Sequence, residues 1–276
     1  MPGRGTFFVR QLQGPPGAPT VVLLHGWTAT ADLNFFTCYK ALGEHFGVIA
    51  FDHRGHGRGI RTVRPFRLSD CADDAAAVTA TMGIDRFIAV GYSMGGPVAQ
   101  LLWRRHRARV SGLVLCATAS YFAGTRQQRL TFLGLTSLAG LARMTPPVAR
   151  SWFTDQFHQR RTSQWEPWAI AETERHDWRM VLEAGGALGR FSSSDWIGEM
   201  DVPTSVVITR RDGVVPVRRQ LELLGGISGA RPVRVDGDHA AVINDAKRFV
   251  PALVAACTDV ARRVRLAERA TPRAAG

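Results

Sequence analysis

The chain has 276 residues with 35 basic and 23 acidic side chains, a formal net charge of +12, and 45% hydrophobic and 21% charged residues. A chain of this size buries roughly three quarters of its unfolded surface, so one core of about 250 residues with an insertion needs neither disulfides nor a metal to fold. All but two of the basic residues are arginine, Lys40 and Lys247 being the exceptions, and they are dispersed; this skew fits a GC-rich genome and a solvated surface, which removes nucleic acid from the expected partners and leaves peripheral contact with an anionic lipid surface as the residual use of the charge.

Met1 to Arg10 lacks the apolar core of a secretory signal, and nowhere do about 18 uncharged apolar residues run together, so a soluble, cytoplasmic protein is expected. Thr6 to Gln13 allows one strand or two short ones before the Gly14-Pro15-Pro16-Gly17 turn. Strands follow at Thr20 to Leu24 and Val48 to Asp52, then a helix from Ser69 to Met82. Ser69 is its expected cap, Asp70, Asp73 and Asp74 suit the positive end of its dipole, and Cys71, Ala75, Val78 and Met82 form an apolar stripe. A strand at Phe87 to Tyr92, a helix at Met94 to His106 and a strand at Val110 to Cys116 come next.

The alternation then stops between about Tyr121 and Trp196, where no strand-like run appears and five tryptophans fall: Trp152, Trp165, Trp168, Trp178 and Trp196. This segment reads as a helical insertion. Within it Leu130 to Ala142 is uncharged between Arg129 and Arg143 and too short to cross a bilayer; a buried helix is preferred over an interfacial lid. The alternation resumes with a strand at Thr204 to Ile208, a helix at Pro216 to Leu224, a strand at Pro232 to Val235 and a final helix from about Asp245 to Ala267. Because the strands are apolar on consecutive positions, they are expected to be covered on both faces. The fold class is therefore α/β, a doubly wound, mostly parallel sheet, with residues 1–120 and 197–276 as its core and 121–196 as a helical cap. Cys38, Cys71, Cys116 and Cys257 show no C-x-x-C and no histidine at zinc-finger spacing, which argues for reduced thiols and no metal site.

Gly91-Tyr92-Ser93-Met94-Gly95 fits G-x-S-x-G between an apolar strand and a helix. A sharp strand-to-helix turn lifts the serine hydroxyl clear of the sheet, and the helix dipole points its positive end where negative charge would develop. Such a serine needs a base and an acid to orient that base, which in this architecture come later in the chain, carboxylate first. His239 is the only histidine after Trp178 and follows the last strand. Asp212 follows the Thr204 to Ile208 strand, whereas Cys116-Ala117-Thr118-Ala119-Ser120 offers no carboxylate. Asp238, beside the histidine, is expected to point elsewhere. The oxyanion donors are expected from the N–H groups of Met94 and of Trp27, in the His25-Gly26-Trp27 loop, with His25 as a buried brace.

These segments, with Val21 to Trp27, Asp52-His53-Arg54-Gly55-His56-Gly57-Arg58, Asp212 to Pro216 and Gly237 to Ala240, resemble the α/β-hydrolase superfamily, in its cap-bearing group of serine esterases, lipases and haloperoxidase-like enzymes. The resemblance spans residues 21 to 240. It implies a cofactor-free hydrolase cleaving a carboxylic ester of an apolar acyl group through Ser93, His239 and Asp212, with the insertion's aromatic residues forming the acyl pocket. The same residues would serve an acyltransferase, a thioesterase, a haloperoxidase or perhydrolase, or a small-molecule receptor of this fold. Acyl chain, leaving group and oligomeric state are left open. Two departures stand out: Gly59 occupies a position where the family pattern usually has serine, and the N-terminal part of the sheet is abbreviated. Arg54 is expected to pair within its own loop. A serine nucleophile sets the chain apart from the epoxide hydrolases and dehalogenases of this fold, which use aspartate.

Overall fold

The computed structural model describes residues 4–6, 8–144 and 167–270. Seven strands, β1 (Val9–Leu12), β2 (Thr20–Leu24), β3 (Gly47–Phe51), β4 (Phe87–Tyr92), β5 (Val110–Cys116), β6 (Thr204–Thr209) and β7 (Arg231–Val235), form one sheet in the order β1-β3-β2-β4-β5-β6-β7. Only β1 runs antiparallel to its neighbour; every other pairing is parallel. The abbreviated N-terminal part of the sheet is thus a single antiparallel edge strand.

Consecutive apolar residues work as expected in the central strands. Val22, Leu24, Ala89, Leu113 and Leu115 face one buried cluster, while Val21, Leu23, Ile88, Val90 and Val114 face the other. The first layer contains α3 (Leu68–Thr81), α4 (Gly95–Arg105) and α8 (Val217–Gly226); the second contains α1 (Ala31–Phe35), α2 (Tyr39–Gly43) and α10 (Ala246–Ala270), with the short α9 (Ala241–Asn244) before it. At the edge the rule fails, since in β7 only Val235 is buried. The helices α1 and α2 were not anticipated, because five residues hold too little of a 3.6-residue period to stand out.

The start of α3 also differs from expectation. Its cap position is Arg67, with no side-chain cap bond, and Ser69 lies inside the helix. Asp73 is drawn away to Arg105 and His106, and Asp74 to Arg4 and Arg54. Arg54 therefore pairs with α3 rather than within its own loop, tying the Asp52 to Arg58 turn to the first helix layer.

The described part of the helical insertion comprises α5 (Arg126–Met144), α6 (Pro167–Glu174) and α7 (Trp178–Arg190). A bridge between Tyr121 and Ser192, and the Ser193 N–H on Ser120 O at 2.8 Å, bring its two ends together. Met180, Ala184 and Leu188 of α7 join the core cluster above the sheet. The corner between α6 and α7 is fastened to the 55–66 loop: Asp177 N–H donates to Gly55 O at 2.8 Å and Phe66 N–H to Glu183 Oε2 at 2.8 Å. The expectation of a buried helix at Leu130 to Ala142 does not hold. Ala139 is buried, but Leu130, Leu133 and Leu138 face outward; among the described residues α5 packs chiefly on α7. No helix among the described residues is long and apolar enough to cross a membrane, and the four cysteines are free and buried.

Candidate active site

The sheet order fixes where a site can form. The chain leaves β2 towards β3 on one side and returns to β4 on the other, so the carboxyl ends of β2 and β4 diverge at a topological switch point, where open α/β sheets leave a crevice. Leu24 and Gly91 are paired across these strands, which sets the loop after Leu24 beside the turn after Tyr92.

That second turn is the elbow at Ser93, whose φ of +52° lies in the left-handed region that a residue with a Cβ occupies only when its surroundings impose it. The imposition is visible. Ser93 N–H donates to Cys116 O at 2.9 Å, and Ser93 O accepts from the Thr118 hydroxyl at 2.8 Å and from Gly96 N–H at 2.9 Å. A Cβ at Gly95 would lie 1.9 Å from Leu24 O, and one at Gly91 2.3 Å from Gly95 O, so neither flanking glycine can be replaced without moving the elbow.

Ser93 Oγ lies 3.0 Å from His239 Nε2, and His239 Nδ1 lies 2.8 Å from Asp212 Oδ2. The structure thus brings together Ser93, His239 and Asp212 from the ends of β4, β7 and β6. With Asp212 accepting at Nδ1–H, the imidazole presents an acceptor nitrogen to the serine hydroxyl. Asp212 is fully partnered: Oδ2 also accepts the Thr209 hydroxyl at 2.7 Å, and Oδ1 accepts Val214 and Val215 N–H at 2.9 and 2.8 Å. Burial pushes its carboxyl up, but His239, Thr209 and the amides outweigh that, leaving it below the ordinary carboxylate value and ionised. Asp238 is exposed and accepts from Ala240 N–H, away from the imidazole.

A Cβ built on Gly26 would stand 3.3 Å from Ser93 Cβ, so the Gly26-Trp27 backbone borders the serine. Among the described residues neither the Trp27 nor the Met94 N–H has a protein acceptor. His25 is a brace, as expected: buried, it donates from Nδ1 to Gly26 O and accepts His53 N–H at Nε2, each at 2.8 Å, and burial lowers its pKa to about 4.

Four contributors carry no recognisable spacing. Asn34 Oδ1 accepts Gly26 N–H at 2.7 Å and fixes the loop after β2. The Tyr92 hydroxyl donates to His239 O, and Thr209 and the buried Gln220 brace the Asp212 loop. Tyr92 could have been suspected, since a phenol on the last residue of a buried strand beside the serine needs an acceptor. Gly59 has a local explanation: a Cβ there would lie 2.2 Å from His53 O, so this form of the loop excludes serine.

The three described tryptophans of the insertion pack against partners other than Ser93. Trp152 and Trp165 lie outside the described residues. Trp168 packs edge-on against Phe36, Trp178 against His176, and Trp196 stacks on Trp103 at 6.4 Å between centroids. The aromatic ring at the junction of site and insertion is instead Trp27, whose indole N–H donates to Val181 O at 2.7 Å.

Residues 19–246 match the family model described as the alpha/beta hydrolase fold. The chain is 26% identical over 242 residues to a protein of Agrobacterium fabrum named as a carbamate hydrolase, RutD, covering 84% of this chain and 90% of that one. It superposes on the enol-lactonase from Burkholderia xenovorans LB400 with a TM-score of 0.70 and 25% identity, covering 91% and 96% of the two chains. The esterase from Exiguobacterium antarcticum gives 0.75 at 20% identity, covering 91% and 95%, a likeness of fold. With the switch-point crevice, the serine elbow and a family match across most of its length, the chain belongs to the α/β-hydrolase family and is a hydrolase.

Proposed function

We propose that the protein is a serine hydrolase that cleaves a carboxylic ester of an apolar acyl group through an acyl-enzyme. The observation that carries this reading is the continuous relay from Ser93 Oγ through the His239 ring to a buried, ionised Asp212, at 3.0 and 2.8 Å. His239 Nε2 takes the hydroxyl proton as Ser93 Oγ attacks the ester carbonyl, and the resulting oxyanion is received by the N–H groups of Trp27 and Met94. The proton then passes to the departing alcohol oxygen. Water, deprotonated by the same imidazole, adds to the acyl carbonyl and releases the acid and the free serine.

An apolar acyl group suits a serine only 7% exposed, beside a loop whose Trp27 ring is seated at Gly185 of the insertion next to Leu135. The relatives named as carbamate hydrolase, enol-lactonase and esterase are named for compounds whose electrophile is a carbonyl carbon, as in the proposed ester. The residues 121–196 insertion is read as the cap over this site, and the substrate as a small molecule. The test is a hydrolysis screen across p-nitrophenyl esters and monoacylglycerols of graded chain length, with a lactone and an aryl carbamate beside them. Turnover of esters that climbs with acyl length is expected; turnover of the carbamate alone would overturn the ester assignment.

A further inference from the structure

The loop after β2 is held from two sides. From the core, Asn34 takes the Gly26 N–H. From the insertion come two further bonds. Trp27 donates its indole N–H to Val181 O in α7 at 2.7 Å, across 154 residues of sequence, and His176 Nε2–H donates to Thr28 O at 3.3 Å while its Nδ1 accepts Gly57 N–H at 2.9 Å. Burial keeps His176 neutral, its pKa lowered to about 4, so it has one donor and one acceptor to give at neutral pH.

Thr28 is held at a φ of +60°, a β-branched residue in the left-handed region, where it stays only under external restraint. Between the restrained Gly26 and the strained Thr28 lies Trp27. Its ring is received by a notch in α7: a Cβ on Gly185 would lie 2.7 Å from Trp27 Cζ2 and 2.9 Å from Leu135 Cδ1 of α5. The helix–helix contact of the insertion and the seat of the indole are therefore one piece of packing.

We infer that the insertion is part of the oxyanion apparatus: α7, through Val181, Gly185 and His176, positions the Trp27 backbone N–H by gripping that residue's ring and its neighbour's carbonyl. The inference rests on the proposed roles of Ser93 and of the Trp27 amide, and adds that the insertion acts on the transition state as well as on substrate access. A donor displaced by a fraction of an ångström loses most where charge develops, so the defect falls on kcat and not on binding of the neutral ester.

Two variants separate this role from simple packing. Trp27→Phe keeps the backbone donor and most of the ring but removes the bond to Val181. Gly185→Ala leaves the site chemically intact, favours the helix by about 1 kcal/mol, and presses one methyl against the indole. Each should lower kcat by about tenfold or more with KM within about threefold, and weaken a boronic acid, whose tetrahedral adduct places an oxygen in the oxyanion hole, by a similar factor. Thermal melts identify folded variants, and Gly185→Ala decides the matter if Trp27→Phe is unstable. Unchanged kcat and boronate affinity in the folded variants, or a loss in KM alone, would overturn the inference. Failure of the underlying reading would look different, because the wild type itself would then bind no boronate and turn over no ester.

Discussion

Asp212 shows how a single carboxylate is made fit for its place. Burial alone would raise its pKa, yet two amides, a threonine hydroxyl and the His239 ring converge on its two oxygens and hold it below the ordinary value. Asp212→Asn should keep the fold and lower turnover by about four orders of magnitude, because the imidazole would be held in the wrong tautomer. Asp238→Asn, exposed and bonded only to Ala240, should stay within about twofold of the wild type. Steady-state rates on one ester compare the two, and the reverse ranking would mean the acid is misassigned. The proposed triad was legible because each member follows a strand in a required order. Asn34 and Gln220 were not, because side chains that brace a loop through tertiary hydrogen bonds leave no spacing to read. Gly59 belongs at this scale as well. Gly59→Ser would drive a Cβ into His53 O, built at 2.2 Å, and should destabilise the protein by about 1–3 kcal/mol in urea unfolding.

Among the elements, the central strands were readable from uninterrupted apolar runs, since both faces of β2, β4 and β5 are buried. β7, at the edge of the sheet, buries only Val235 and carries Arg231 and Arg234, so its sequence signal is correspondingly weak. Ser69 misled as a cap because α3 begins one residue earlier, at Leu68, with Arg67 in extended backbone at the cap position and no side-chain cap bond. The Leu130 to Ala142 stretch of α5 looked buried because it lacks charge, yet Leu130, Leu133 and Leu138 are exposed, with no described element over them. Leu133→Gln should therefore leave stability within about 0.5 kcal/mol, whereas Ala139→Gln, on the packed face, should cost about 1–3 kcal/mol. Denaturant midpoints decide it, and a large loss at Leu133 would show that this face is covered.

At the scale of the whole molecule, His25, His53, His56 and His176 form a buried group that joins the core loops to the insertion, with successive ring centroids 4.3 to 5.4 Å apart. Burial lowers the pKa of all four, to about 4 for His25 and His176. In the unfolded chain each protonates below about pH 6.5, while in the folded chain His25 and His176 resist until about pH 4 and burial holds His53 and His56 well below their ordinary value. Stability is therefore full above pH 6.5 and lost as pH falls towards 4, by about 3 kcal/mol from His25 alone. The melting temperature should already fall between pH 6.5 and 5, before carboxylates titrate; a flat profile there would contradict the neutral cluster. None of these histidines announced itself as a group in the sequence, because the sheet order that gathers them is a property of the complete fold. The sheet order also makes the central claim possible, by setting β2 and β4 side by side at the switch point with Ser93 between the loop after β2 and His239. The most direct test is labelling with a fluorophosphonate, which reacts with a serine only when its hydroxyl is activated, followed by mass mapping of the adduct. The account predicts one adduct, on Ser93, and its absence in Ser93→Ala together with a loss of ester turnover of about a millionfold; an adduct retained in Ser93→Ala, or none in the wild type, would contradict it.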